Sequence, residues 1–344
     1  MANGAAVALR DVLPINLRRA VALSLPLRWT ERRVYRLPTH DGPLGAYYIG
    51  WRADTSAWGE DWAVSPFDSN GVLLTLGGNV YHPIRIAQFA LQAHANWIAT
   101  RSDRTLRTFL AQAQWLRDNQ SSRGAVDGCY RFDFPWPRYG AEAGWISAMA
   151  QGEAISTLLR ADEMLPRAGY LEAAMRAALP FRAELHDGGV VSRTVHGDVF
   201  FEEVATQRPA HILNGHIFAL WGLWELYRLT RADWLRTLVC EGVQTLRRRI
   251  EFYDSGFWSF YNLLAYDGRF RAVATLKYHA FHVAQLRVLA AMFDEPLFKC
   301  VAKRWQAYQG NAASRFQTLR NTIAALTLRF LRRDRIENAS DVLT

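Results

Sequence analysis

Cysteine is scarce in this chain. Its three residues, Cys129, Cys240 and Cys300, are odd in number and widely spaced. That pattern excludes a disulfide framework and a zinc-binding motif, and makes a reducing compartment the simpler expectation. Long apolar runs are missing too, and nothing approaches the roughly 20 residues needed to cross a bilayer. The one apolar run near the start, residues 20–27 (AVALSLPL), follows Arg18 and Arg19, contains Pro26 and is closed by Arg28. Without a small-residue cleavage site it reads as a packed N-terminal helix rather than a leader. The location expected is therefore cytoplasmic, or peripheral to the inner membrane surface. Low-complexity tracts are absent. No nucleic-acid-binding motif occurs and the arginines are dispersed, so no nucleic-acid partner is expected. No pair of carboxylates clearly flanks one site, which weighs against a glycoside hydrolase.

What is present suits one large helical body. Half of the 344 residues are hydrophobic and 13 are Trp, enough for a sizeable core. The formal charge of +9, mostly arginine, suits a polyanionic partner.

Helical periodicity dominates from about residue 83 onward. Four helix pairs are expected, opening near residues 83, 145, 211 and 279, a loose period of helical hairpins. The expected helices are 83–100 with 106–120, 145–162 with 169–180, 211–229 with 232–250, and 279–293 with 295–308. Segments such as ILNGHIFALWGLWEL are apolar nearly all round, as in a buried helix. Such hairpins build an α/α toroid whose inner helices line a cleft, with the inter-pair loops on one face. Residues 1–80 read as an N-terminal segment with short strands near 34–37, 44–51 and 71–76, and turns at 40–43 and 68–71. Residues 81–310 read as the toroid. Residues 311–344 read as a basic helix to about Arg333 with a polar tail. Pairing of two chains through the toroid edge or this helix stays compatible with the sequence, as does contact with a membrane surface.

Chemistry-bearing residues concentrate in the inter-pair stretches. Glu202 and Glu203 sit among aromatics, where burial would raise a carboxyl pKa toward that of a useful base. Tyr261 and Tyr278 flank Arg269 and Arg271, with Lys277, His279 and His282 close by; cations there would lower a tyrosine pKa. His279 and His282 share a helix face but lack an obvious third ligand, so no metal is expected. Residues 124–140 (GAVDGCYRFDFPWPRYG) mix aromatics with Arg131 and Arg138, as a sugar platform or a packing plug would.

Four segments resemble the heparosan-glucuronate (D-glucuronyl) C5-epimerase family. They are YHPIRIAQFAL (81–91), GWISAMAQGEAISTLLRA (144–161), HILNGHIFALWGLWEL (211–226) and the block 253–310 with YDSG, YHAFH and DEPLFKCVAKRWQAY. The resemblance implies a compact form lacking a large inserted β domain. It also implies inversion of glucuronate to iduronate at C5 within a heparosan- or heparan-type polysaccharide, with no cofactor. Glu203, Tyr261 and Tyr278 fall on the family's functional positions. Tyr81, Arg85, Gln88, Trp145, Asn214, His279 and His282 become candidates for positioning the substrate. Val204 and Leu264 stand where the family pattern has a tyrosine and an arginine. A lyase sharing the same proton abstraction and a non-catalytic glycan-binding protein are the alternatives.

Overall fold

The computed structural model describes residues 35–38, 42–50, 66–75, 80–264 and 271–340. The apolar run at 20–27, the turn residues His40 and Asp41, Trp51, Leu76 and Arg269 lie outside them.

Helix α1 (Pro83–Thr100) opens on Pro83, which has no amide hydrogen to leave unpaired in a first turn. It returns through α2 (Asp103–Asp118). Helices α3 (Ala148–Met164) and α4 (Tyr170–Ala177) make the second pair. The third is α5 (Leu213–Thr230) with α6 (Asp233–Arg249). The fourth is α7 (Leu276–Met292) with α8 (Pro296–Gly310), followed by α9 (Ala312–Ser340). Within the described residues this is the expected α/α toroid arrangement of four hairpins. The inner helices form a row, α1 against α3, α3 against α5 and α5 against α7, and each packs its outer partner behind it.

Three small antiparallel ladders lie at the inter-pair connections. Strands β1 (Ser121–Arg123) and β2 (Val126–Cys129) pair with each other, as do β3 (Arg131–Phe132) and β4 (Trp145–Ile146). Strands β5 (Val191–Arg193) and β6 (Val199–Phe201) pair with Val191 opposite Phe201.

Several boundaries shift by up to three residues, α2 for instance starting at Asp103 rather than at 106, and two of the shifts have clear physical reasons. Trp145 and Ile146 do not begin α3 but pair with Phe132 and Arg131; the helix starts after Ser147, whose hydroxyl accepts from the Ala150 amide. Helix α7 begins three residues early, because Thr275 caps it by accepting from the Tyr278 amide. Tyr278 is thus in the first helical turn rather than in a loop.

Residues 148–161 of α3 and 213–226 of α5 are buried on every face. Glycine permits their close crossing. A Cβ on Gly152 would stand 2.5 Å from the Ala219 Cα, and one on Gly222 would stand 2.2 Å from the Gly152 carbonyl oxygen. The crossing is held by Arg160, fully buried, which donates to both carboxylate oxygens of Glu225 at 2.8 and 3.0 Å. Arg160 also donates to the Gly45 carbonyl at 3.0 Å, tying residues 42–50 across the helices. There Tyr47 and Tyr48 pack edge-on against Trp221. The described N-terminal residues show isolated bridges, Tyr35 with Ile49 and Phe67 with Leu73, in place of longer strands. The turn at Asp68 is present: its Oδ1 accepts from the Asn70 and Val72 amides, and Gly71 has φ +79.

Candidate active site

Three segments converge at the N-terminal ends of α5 and α7. The first follows β6. The Glu202 carbonyl accepts from the Ala148 amide and the Ala205 amide donates to the Ile146 carbonyl, stitching this segment to the start of α3. The two adjacent glutamates then part. Glu202 turns inward, taking hydrogen bonds from Ser192 Oγ at 2.6 Å and from the Ala210 and His211 amides. It is an anchor for the loop. Glu203, also fully buried, faces Asn214, which donates to its Oε2 at 3.2 Å. Room for it exists because α5 has glycine one residue later: a Cβ on Gly215 would fall 2.4 Å from the Glu203 Cβ.

The second segment carries Tyr261. Its carbonyl accepts from the Leu213 amide, and the Leu263 amide donates to the Ala210 carbonyl, so the chain runs alongside the start of α5. The Tyr261 hydroxyl donates to Glu203 Oε1 at 3.3 Å. The third is the first turn of α7, where the Tyr278 ring meets the Tyr261 ring edge-on at 4.7 Å. This packs the Tyr278 side chain against the Tyr261–Glu203 pair. The result is a hydrogen-bonded pair, Tyr261 to Glu203, backed by Asn214, with the Tyr278 ring packed on Tyr261.

Electrostatics set the protonation states. Burial raises the Glu203 carboxyl to about 7, against the opposing hydrogen bonds from Tyr261 and Asn214. Burial likewise pushes Tyr261 and Tyr278 up, and the Glu203 charge adds to it. The expectation that cations near in sequence would lower both tyrosines is therefore reversed. Arg271 stands over the Phe260 ring, and the cation that pulls on all three groups is Arg138. Both tyrosines are neutral near pH 7 and can donate, while Glu203 is poised to gain or lose a proton.

A cavity of about 210 Å³ opens here, walled by Tyr261, Tyr278, Arg138, Tyr139, Trp136 and Asn262. It is the size of one sugar ring. Arg138 and Tyr139 also line a larger neighbouring groove of about 640 Å³, on which Trp145 and Leu264 lie. Residues 124–140 had offered a sugar platform or a plug. The structure divides them: Trp136, Arg138 and Tyr139 face the cavity, and Cys129 and Tyr130 are buried in the core.

The other candidates fall in different places. Asn214 is in the cluster. Tyr81 instead donates to Asp68 at 2.8 Å and stacks on Trp115 of the outer helix α2. Arg85 is buried beside His82. Gln88 donates to the buried carboxyl of Glu153 at 3.0 Å. Trp145 stacks on Phe132 at 3.9 Å and donates to the Phe134 carbonyl. His279 has both ring nitrogens occupied, Nδ1 by Ser259 and Nε2 by the Trp305 carbonyl, so neither is left for a substrate. His282 Nδ1 lies 2.9 Å from Ser259 Oγ. Burial lowers both histidines, His279 to about 3, so both are neutral; both contact the Ser259 segment, and His282 Nε2 is buried with no hydrogen-bond partner. Among the described residues no cluster of His, Cys, Asp or Glu could hold a metal ion. Val204 is buried beside Glu203.

Comparison with known proteins adds an independent line. The sequence profile of the D-glucuronyl C5-epimerase C-terminus matches residues 123–307, just over half of the chain. A D-glucuronyl C5-epimerase of Caenorhabditis elegans is 31% identical over 61% of this chain and 36% of its own. An uncharacterized protein of Methanocaldococcus jannaschii is 26% identical over 52% of this chain and 56% of its own. The match thus spans about a third to just over half of these relatives' lengths. Among solved structures, an unsaturated glucuronyl hydrolase from Bacillus sp. GL1 aligns with TM-score 0.40 and 15% identity, covering 71% of this chain and 61% of its own. An endo-β-1,4-glucanase from Acetobacter xylinum aligns with TM-score 0.37 and 17% identity, over 57% and 59%. Both scores are too low to bear on activity.

Proposed function

This chain belongs to the family of the D-glucuronyl C5-epimerase C-terminus, and from that premise we propose that it inverts glucuronate to iduronate at C5 within an acidic polysaccharide. The observation that supports this most is the Tyr261–Glu203 hydrogen bond, with Tyr278 packed on Tyr261, at the wall of a sugar-sized cavity.

The C5 hydrogen lies alpha to a carboxylate, so its removal as a proton leaves an enediolate-like charge that needs stabilising. A neutral tyrosine cannot be the final proton acceptor, but it can pass a proton on. The Tyr261 oxygen takes the C5 proton as its own hydroxyl proton moves to Glu203 Oε1. Tyr278 then gives its proton to the opposite face of C5. The sugar edge lies between the two hydroxyls. When product leaves, the proton on Glu203 returns through Tyr261 to the neighbouring Tyr278 oxygen, and the site is reset. Arg138 supplies positive charge where the substrate carboxylate gains electron density.

The test is product analysis. Glucuronate polymer incubated with the protein should yield iduronate by proton NMR. Ultraviolet-absorbing 4,5-unsaturated uronate instead would make the protein a lyase, and neither product from any uronate polymer would leave a glycan-binding protein.

A further inference from the structure

The larger groove beside the cavity is strongly unbalanced in charge. Its charged lining is Arg123, Arg131, Arg138 and Arg208 against a single acid, Glu142. Two of these arginines are unusual. Arg123, on β1, is half-buried, and its Nη1 is buried with no hydrogen-bond partner. Arg131, on β3, lies against Gly144: a Cβ there would meet the Arg131 Nη2 at 2.5 Å. Burial is the first cause that lowers the Arg123 guanidinium, and the like charge of Arg131 adds to it. Among the described residues no carboxylate forms an ion pair with either. Two guanidinium groups that repel each other, one with an unmet buried donor, are costly unless an anion completes them. Paired guanidiniums also present the forked donors that fit a carboxylate or a sulfate.

We propose that Arg123 and Arg131 form an anion subsite that binds a second acidic group of the same glycan chain, while the reacting uronate occupies the cavity at Tyr261 and Tyr278. The inference rests on the uronate-epimerase reading for what fills the cavity. It adds which residues hold the neighbouring acidic group of that polymer. Arg138 and Tyr139, shared by both spaces, mark the passage of the chain from one to the other.

The test is calorimetric binding of two unsulfated oligosaccharides, one with a single uronate and one with three. Wild-type protein is compared with Arg131→Gln, at an exposed position, and Arg123→Gln. The three-uronate ligand should bind about tenfold or more weakly to each variant, as expected for losing a charged hydrogen bond. The single-uronate ligand should be unaffected. Equal loss for both ligands, or no loss for either, overturns the subsite. So does a wild-type protein that does not favour the longer ligand. An O-sulfated three-uronate ligand separates the two sources. Tighter binding with a larger loss in Arg131→Gln assigns sulfate, and no gain over the unsulfated ligand assigns carboxylate. Because binding is read without turnover, length-dependent, Arg131-dependent binding without any epimerised product upholds the subsite and rejects only the epimerase reading.

Discussion

At the scale of single residues, the account turns on one carboxyl with a shifted pKa. Glu203 is held at about 7 in the folded protein, above the ordinary glutamate value, because it is buried. Its folded pKa is raised, so between the unfolded value and about 7 the native state binds more protons than the unfolded chain. Stability therefore falls as pH rises through that window. Glu203→Gln should remove this dependence and stabilise the protein at pH 8, by at most on the order of 3 kcal/mol. Urea denaturation at pH 5 and pH 8 reads it out, and an unchanged pH dependence in the variant would contradict the assigned shift. Tyr278→Phe and Tyr261→Phe each remove one of the proposed proton carriers and should lower kcat by at least ~10²-fold. Tyr278→Phe should leave the unfolding midpoint nearly unchanged, since the ring contact with Tyr261 survives. An active Tyr278→Phe enzyme would remove it from the role of acid.

At the scale of elements, helix packing makes its own demand. Gly152 and Gly222 meet where α3 and α5 cross, with no space for a methyl group. Gly152→Ala should cost about 3 kcal/mol or more in urea unfolding, the upper end of overpacking penalties, since backbone rather than a flexible side chain stands in the way. A loss below 1 kcal/mol would show that the crossing relaxes. How the elements could be read from sequence follows from which forces shape them. The pairing of helices was legible because burial imposes a 3.6-residue period, and Pro83 marks the first start. The true starts of α3 and α7 were not, because a cap or a strand partner decides them: Ser147 holds back α3, and Thr275 advances α7. The proposed trio of Glu203, Tyr261 and Tyr278 was legible only through family resemblance. From the residues alone, Glu202 and Glu203 are indistinguishable, and only the fold sends one to Ser192 and the other to Tyr261. Arg138 and Tyr139 were missed as cavity walls because more than 120 residues separate them from Tyr261 in the chain. Their signal was a Trp–Pro–Arg–Tyr cluster in a loop, which equally describes a packing plug.

At the scale of the whole molecule, buried charge joins distant parts of the chain. Arg160 and Glu225 link α3 to α5, and Arg160 reaches the Gly45 carbonyl as well. Glu225→Gln leaves the buried guanidinium without its counter-charge and should destabilise the protein by about 3–5 kcal/mol. A change below 1 kcal/mol would contradict that reading. The same molecule places the cavity at Tyr261 and Tyr278 and its cationic groove side by side on the connections between hairpins, the arrangement the proposed polymer substrate requires. The central claim is that Glu203 receives the C5 proton through Tyr261. The direct measurement is solvent deuterium incorporation at C5 of a glucuronate polymer in deuterated water, followed by NMR across pH for wild-type protein and Glu203→Gln. The account predicts incorporation that rises with pH about a midpoint near 7 and falls by at least ~10²-fold in the variant. Absence of deuterium at C5 in the wild type, or equal incorporation in both proteins, would contradict it.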